Sequence, residues 1–194
     1  MKKVFLIGFL TLLLAGTLSL GNVQAQVDEF DVENLALRGG LAYTTLGDND
    51  GLDQDVPDSG RVFYLGTEYT VDDFSSVIAQ YENISASNSV DISASGLAGQ
   101  YAYEVYTVDN YDFNFDIAVK GGAGYYFSGE YGDDDLESSF GFKAGAGLIS
   151  ELQEDMDLNF DILYRSLEMD IDNDNNNYLD LSGLELSAGV TYNF

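Results

Sequence analysis

Four of the five basic residues beyond position 25, Arg38, Lys120, Lys143 and Arg165, sit inside alternating apolar and polar runs; the fifth is Arg61. On the same polar parity lie Glu68, Glu82, Glu104, Asp116, Asp161 and Glu185. In a chain with 7 basic against 34 acidic residues, random placement would scatter its few cations through the acidic stretches. Cations and carboxylates on one face of paired strands can neutralise each other, and in a narrow interior they must, because an unpaired buried charge costs several kcal/mol. The ten residues are therefore read as an ion-pair network lining an enclosed space. The alternative is solvated surface pairs on a soluble sheet, each worth about 0 to 1 kcal/mol.

The other acidic groups offer less. Asp48, Asp50, Asp53 and Asp55, and again Asp170, Asp172 and Asp174, approach the spacing of a calcium loop. Neither set has the full Asp-x-Asp-x-Asp-Gly order, Asn175 stands where glycine is wanted, and no closing glutamate follows. Weak divalent binding suits them better than a specific metal site. The chain has no histidine and no cysteine. That removes the usual general base, thiolate nucleophile and thiolate metal ligand. Asp133 to Asp135 is an acidic run without base, nucleophile or pocket. No catalytic residue and no cofactor is expected. A net charge of −27 excludes nucleic acid as a natural partner, since phosphate neutralisation needs the opposite sign.

The elements that carry the charges are strands. From Phe113 to Ser128, the residues Phe113, Phe115, Ile117, Val119, Tyr125 and Phe127 share one parity, while Asp116, Lys120 and Tyr126 share the other. Such period-two alternation predicts a strand with one apolar face. It recurs at about Leu35 to Leu46, Arg61 to Val71, Phe140 to Leu148, Leu158 to Tyr164 and Tyr178 to Phe194. Less regular strands are read at Phe74 to Ser85 and Val90 to Val105. In the latter, Ile92 and Ala94 oppose the parity of Leu97, Tyr101 and Tyr103, which predicts a bulge or strand end near Ser95 and Gly96.

The total is eight. No stretch after the amino terminus is apolar for long enough to span as a helix, so a membrane reading rests on these strands, closed because an open edge cannot face lipid. Eight strands leave an interior just wide enough for side chains to fill. Glycines on the polar parity, including Gly122, Gly124, Gly145, Gly147 and Gly189, leave room there for long charged groups. Outward aromatics such as Tyr43, Tyr69, Tyr101, Tyr125, Phe127, Tyr164 and Tyr192 suit two interfacial girdles. Long acidic connections at Gly47 to Gly60, Gly129 to Ser138 and Asp170 to Asn177 alternate with tight ones near Asp72-Asp73, Thr107 to Asn110 and Glu151 to Asp157. Long outer loops and short periplasmic turns are the usual asymmetry of such barrels.

Met1 to Ala25 reads as a cleavable export signal, with Lys2 and Lys3 before an apolar core from Val4 to Leu20 and Val23-Gln24-Ala25 at the cleavage site. Residues 26–194 then form one domain. With the terminal run Val190-Thr191-Tyr192-Asn193-Phe194, this chain resembles the small outer-membrane β-barrel proteins, the OmpA/OmpX-like group. The resemblance implies an all-β, eight-stranded antiparallel transmembrane up-and-down barrel in the outer membrane of a Gram-negative cell. It also implies outer-membrane lipid and lipopolysaccharide as surroundings, and recognition of Val190, Tyr192 and Phe194 by the barrel-assembly machinery. No periplasmic peptidoglycan-binding domain is expected. Three roles fit: a non-enzymatic barrel with an ion-paired lumen and acidic external loops serving the envelope or its surface, a narrow cation-preferring channel, or an adhesin. The pattern specifies no oligomeric state.

Overall fold

A computed structural model describes residues 34–49, 52, 56–110, 113–172 and 177–194. The segment read as an export signal lies outside the described residues, as do Asp50, Asp53, Asp55 and Asp174. In chain order the strands are β1 (Leu35–Thr45), β2 (Ser59–Asp72), β3 (Ser75–Ser87), β4 (Asp91–Asn110), β5 (Phe113–Tyr131), β6 (Asp134–Asp135), β7 (Ser139–Gln153), β8 (Met156–Ser166), β9 (Glu168–Asp170), β10 (Tyr178–Asp180) and β11 (Gly183–Asn193).

Eight of these, β1 to β5 with β7, β8 and β11, pair antiparallel in sequence order. The ring closes where β11 returns to β1, with Gly40 opposite Gly189. Closure gives every long strand two hydrogen-bonded neighbours, so no edge is left unpaired. The alternation dictates the two faces. Leu41, Phe63, Leu65, Tyr101, Phe142, Ile162, Tyr164 and Leu186 point outward and are exposed. Arg38, Glu82, Lys120, Lys143, Asp161, Arg165 and Glu185 point inward and are buried. The polar parity thus lines the lumen and the apolar parity forms the outer wall.

The interior has two storeys. Charged groups fill the middle, while an apolar cluster including Leu46, Val62, Ile84, Ile92, Tyr131, Leu136, Met169 and Leu179 fills the end that carries the long connections. The sequence reading takes those connections as long acidic loops, and in the structure parts of them are strand. Gly129 to Tyr131 continues β5, Gly132 turns the chain at φ 61, and β6 pairs back. A left-handed turn of that kind favours glycine. Leu136 and Ile171 then bridge this hairpin to the next connection.

The last barrel strand also begins later than the alternation suggests. Tyr178 belongs to β10, which forms a separate ribbon with β9, and β11 starts at Gly183. Between them Ser182 is spent on side-chain bonds: its amide donates to Asp180 and its hydroxyl accepts from the Leu167 amide. The break falls where those local bonds replace the ladder. A register shift does fall at Ser95/Gly96, but the extra residue lies in β5, because Ser95 pairs with Ser128 and Gly96 with Tyr126. Phe127 is the bulged residue, and Ile92 and Ala94 stay on the inner face of β4 as part of the apolar cluster.

Candidate functional site in the barrel lumen

Two ion-paired groups lie in the middle of the lumen. In the first, the Asp161 carboxylate on β8 receives Lys120 Nζ from β5 at 2.6 Å and Arg38 Nη2 from β1 at 3.4 Å. Arg38 Nη1 reaches Glu68 on β2 at 3.3 Å, and the Ser76 hydroxyl donates to the other Glu68 oxygen. The Arg38 guanidinium also lies over the Tyr64 ring, 5.6 Å from its centroid, a cation–π contact. Two cations and two carboxylates balance.

The second group is nearer the apolar cluster. Lys143 Nζ on β7 stands 2.9 Å from Glu82 on β3 and 2.9 Å from Glu185 on β11. Arg165 on β8 reaches Glu185 at 3.1 Å through Nη1, and its Nε and Nη2 donate to the Leu181 carbonyl and the Thr44 hydroxyl. Glu82 is fully buried and also accepts from Tyr126 at 2.7 Å and Gln80 at 2.6 Å. Again two cations meet two carboxylates. Every charged side chain in both groups is at most 5% exposed except Glu68, at 15%. A buried ion pair repays its desolvation only when remaining lone pairs and protons are hydrogen-bonded; hydroxyl, amide and carbonyl partners supply such bonds to Glu68, Glu82 and Arg165, while Arg38 Nε has none among the described residues.

Of the ten residues singled out from sequence, Arg38, Glu68, Glu82, Lys120, Lys143, Asp161, Arg165 and Glu185 are brought together. Glu104 and Asp116 are not: both are half-buried near the end with the short turns, and neither takes part in a described salt bridge. Glu104 faces Ala118 rather than a cation across the β4–β5 ladder. Tyr64, Gln80 and Tyr126 were missed as partners. Their parity, shared with the charged residues, was the available signal. Gly147 matters sterically, because a Cβ there would meet the Asp161 carboxylate and the Lys120 side chain.

Asp48, Asp170 and Asp172 are exposed. Among the described residues no three acidic groups are disposed to hold a metal ion. In the terminal run, Val190 is half-buried while Tyr192 and Phe194 are exposed, their rings meeting edge to face at 5.5 Å.

A family model described as outer membrane protein beta-barrel domain matches residues 10–194. No curated protein matches the chain. Among solved structures, the chain is similar to Neisserial surface protein A, with 15% identity, a TM-score of 0.64, and coverage of 83% of this chain and 97% of that one. It is also similar to outer membrane protein W of E. coli, with 14% identity, a TM-score of 0.52, and coverage of 86% of this chain and 100% of that one. At such identities the likeness carries the fold.

Proposed function

The chain belongs to the outer membrane protein beta-barrel domain family, and from that premise we propose that it is a sealed, non-enzymatic barrel of the outer membrane that serves envelope structure and presents a surface outward. The location is that of its family. The observation that carries the sealed reading is the pairing of four cations with four carboxylates across the lumen, each group neutral and beneath an apolar core. An ion crossing it would have to part those pairs and then enter a cluster made mostly of apolar side chains. Water-filled passages belong to barrels of about 16 to 18 strands. The lack of histidine and cysteine supports the non-enzymatic part.

The outer wall is in contact with outer-membrane lipid and lipopolysaccharide. Acidic groups such as Asp48, Asp170 and Asp172 meet divalent cations only weakly, alongside lipid phosphates. The run Val190, Tyr192 and Phe194 serves as the assembly signal. Replacing Phe194 by alanine is expected to lower the amount of barrel reaching the outer membrane while leaving refolding into micelles intact; equal loss in both would make the residue structural only.

Planar-bilayer recording of the refolded protein tests the closed lumen. No discrete current steps are expected across voltage and salt. Reproducible cation-selective steps would replace this reading with that of a narrow channel.

A further inference from the structure

Arg61 stands apart from the other cations. Arg38, Lys120, Lys143 and Arg165 are spent on carboxylates inside the lumen, whereas Arg61 opens the outward face of β2, is exposed, and forms no salt bridge among the described residues. Of the five basic residues after position 25 it alone faces outward. Phe63 and Leu65 follow it on the same face, and Leu41 on β1 lies opposite Phe63; all three are exposed and belong to the apolar wall. Tyr43 lies directly opposite Arg61. The guanidinium is thus at the edge of that wall, where acyl tails give way to headgroups, the place a long cationic side chain takes when its stem is apolar and its tip is not.

Its neighbours on the next two strands are polar. Ser85 on β3 lies opposite Arg61 and Asn83 opposite Phe63, while Ser95 on β4 lies opposite Asn83. Tyr81 and Asn83 both donate to the Ser95 hydroxyl, at 3.0 and 2.9 Å. Those bonds leave the Ser95 proton and the Asn83 amide oxygen for a ligand. By contrast, the outward faces of β7 and β11 open on Phe140 and Leu184. One sector of the wall, β2 to β4, therefore offers a permanent cation with hydroxyl and amide groups beside it and apolar side chains directly beneath.

We propose that Arg61, with Ser85, Asn83 and Ser95, holds the headgroup of a phosphorylated glycolipid of the outer leaflet. The phosphate sits on the guanidinium, sugar hydroxyls meet the three polar side chains, and acyl chains run along Phe63, Leu65 and Leu41. Chemistry selects the phosphate, because a guanidinium presents a fork of N–H donors that matches two of its oxygens. Position selects a lipid, because a soluble anion would leave the exposed phenylalanine and leucines beneath it uncovered. In a chain with 34 acidic residues the surroundings repel anions in general, so the anion that binds must bring further contacts of its own. Acyl chains and sugar hydroxyls are such contacts. This site rests on the lipopolysaccharide contact proposed above and names where that contact is specific.

The refolded barrel, its folding checked by heat-modifiable migration, is titrated in micelles with diphosphoryl lipid A, fully dephosphorylated lipid A or phosphatidylglycerol, and bound lipid is counted by native mass spectrometry. Wild type is expected to bind diphosphoryl lipid A more tightly than either of the others. R61Q is expected to bind it about tenfold more weakly, the loss of one charged hydrogen-bonded contact. R61K, which keeps the charge without the fork, is expected to lie between. S166D makes the same change in net charge on the outward face of β8 and is expected to bind as wild type does. Equal affinity of R61Q and wild type for diphosphoryl lipid A would overturn the site while leaving the lipopolysaccharide contact standing. Equal losses in R61Q and S166D would reduce the effect to net charge and overturn the site too. A wild type with no preference for diphosphoryl lipid A over phosphatidylglycerol would remove the lipopolysaccharide reading and the site with it.

Discussion

The Tyr126 hydroxyl donates to Glu82 at 2.7 Å, while its ring packs into the apolar cluster above. A single side chain therefore joins the two storeys of the barrel, with its polar tip in the charged lumen and its body in the apolar cluster. Removing the tip alone should cost what a buried hydrogen bond to a charged group contributes. Tyr126→Phe is expected to lose about 1.5 to 3 kcal/mol, read from urea unfolding in micelles with migration of the folded form unchanged. An unaltered midpoint would show that Lys143 and Gln80 suffice for Glu82.

Lys143 spans Glu82 and Glu185, so its loss leaves two buried carboxylates with one fewer cation between them. Lys143→Met is expected to destabilise by about 3 to 5 kcal/mol, the cost of breaking a buried pair. Adding Glu82→Gln should recover part of this, because the neutral amide no longer needs the ammonium. A double-mutant cycle giving strictly additive losses would mean the two side chains do not interact.

Gly147 borders the Lys120–Asp161 pair, and a methyl group there would collide with the Asp161 carboxylate. Gly147→Ala is expected to cost about 1 to 3 kcal/mol, as overpacking does. Lys120→Met should remove much of that penalty while incurring its own, so the two together should destabilise less than the sum. Thermal unfolding of the three variants measures it.

Ile84 is fully buried in the apolar cluster and Ser85, the next residue, is exposed. Ile84→Asp places a charge in the apolar cluster and is expected to prevent folding or to lose more than about 4 kcal/mol. Ser85→Asp is expected to change stability by no more than about 0.5 kcal/mol. Comparable effects at the two positions would contradict their opposite orientation.

Strand identity and the charged lumen were legible because both follow from local parity. Phe115, Ile117 and Val119 against Asp116 and Lys120 state which face is which, and a closed ring is what an apolar outer wall in lipid demands. The apolar cluster at the end with the long connections was not legible. Ile92 and Ala94 looked out of phase only because the outward face of β4 changes from tyrosine and leucine to serine, so that the apolar residues appear to switch parity when in fact the surroundings do. The short ribbon of β9 and β10 was read as strand end and loop for a similar reason: Met169, Ile171 and Leu179 are single apolar residues among aspartates, and their burial depends on what stands opposite.

The sequence by itself determined the location, the number of long strands and the face on which each charge lies, because a side-chain period of two is a property of the chain alone. Only the tertiary structure decided which cation meets which carboxylate, why Glu104 and Asp116 remain outside those pairs, and which end of the lumen the apolar cluster fills. Those outcomes depend on register between strands far apart in the chain, as with Arg38 and Asp161, 123 residues apart, and register is set when the ring closes.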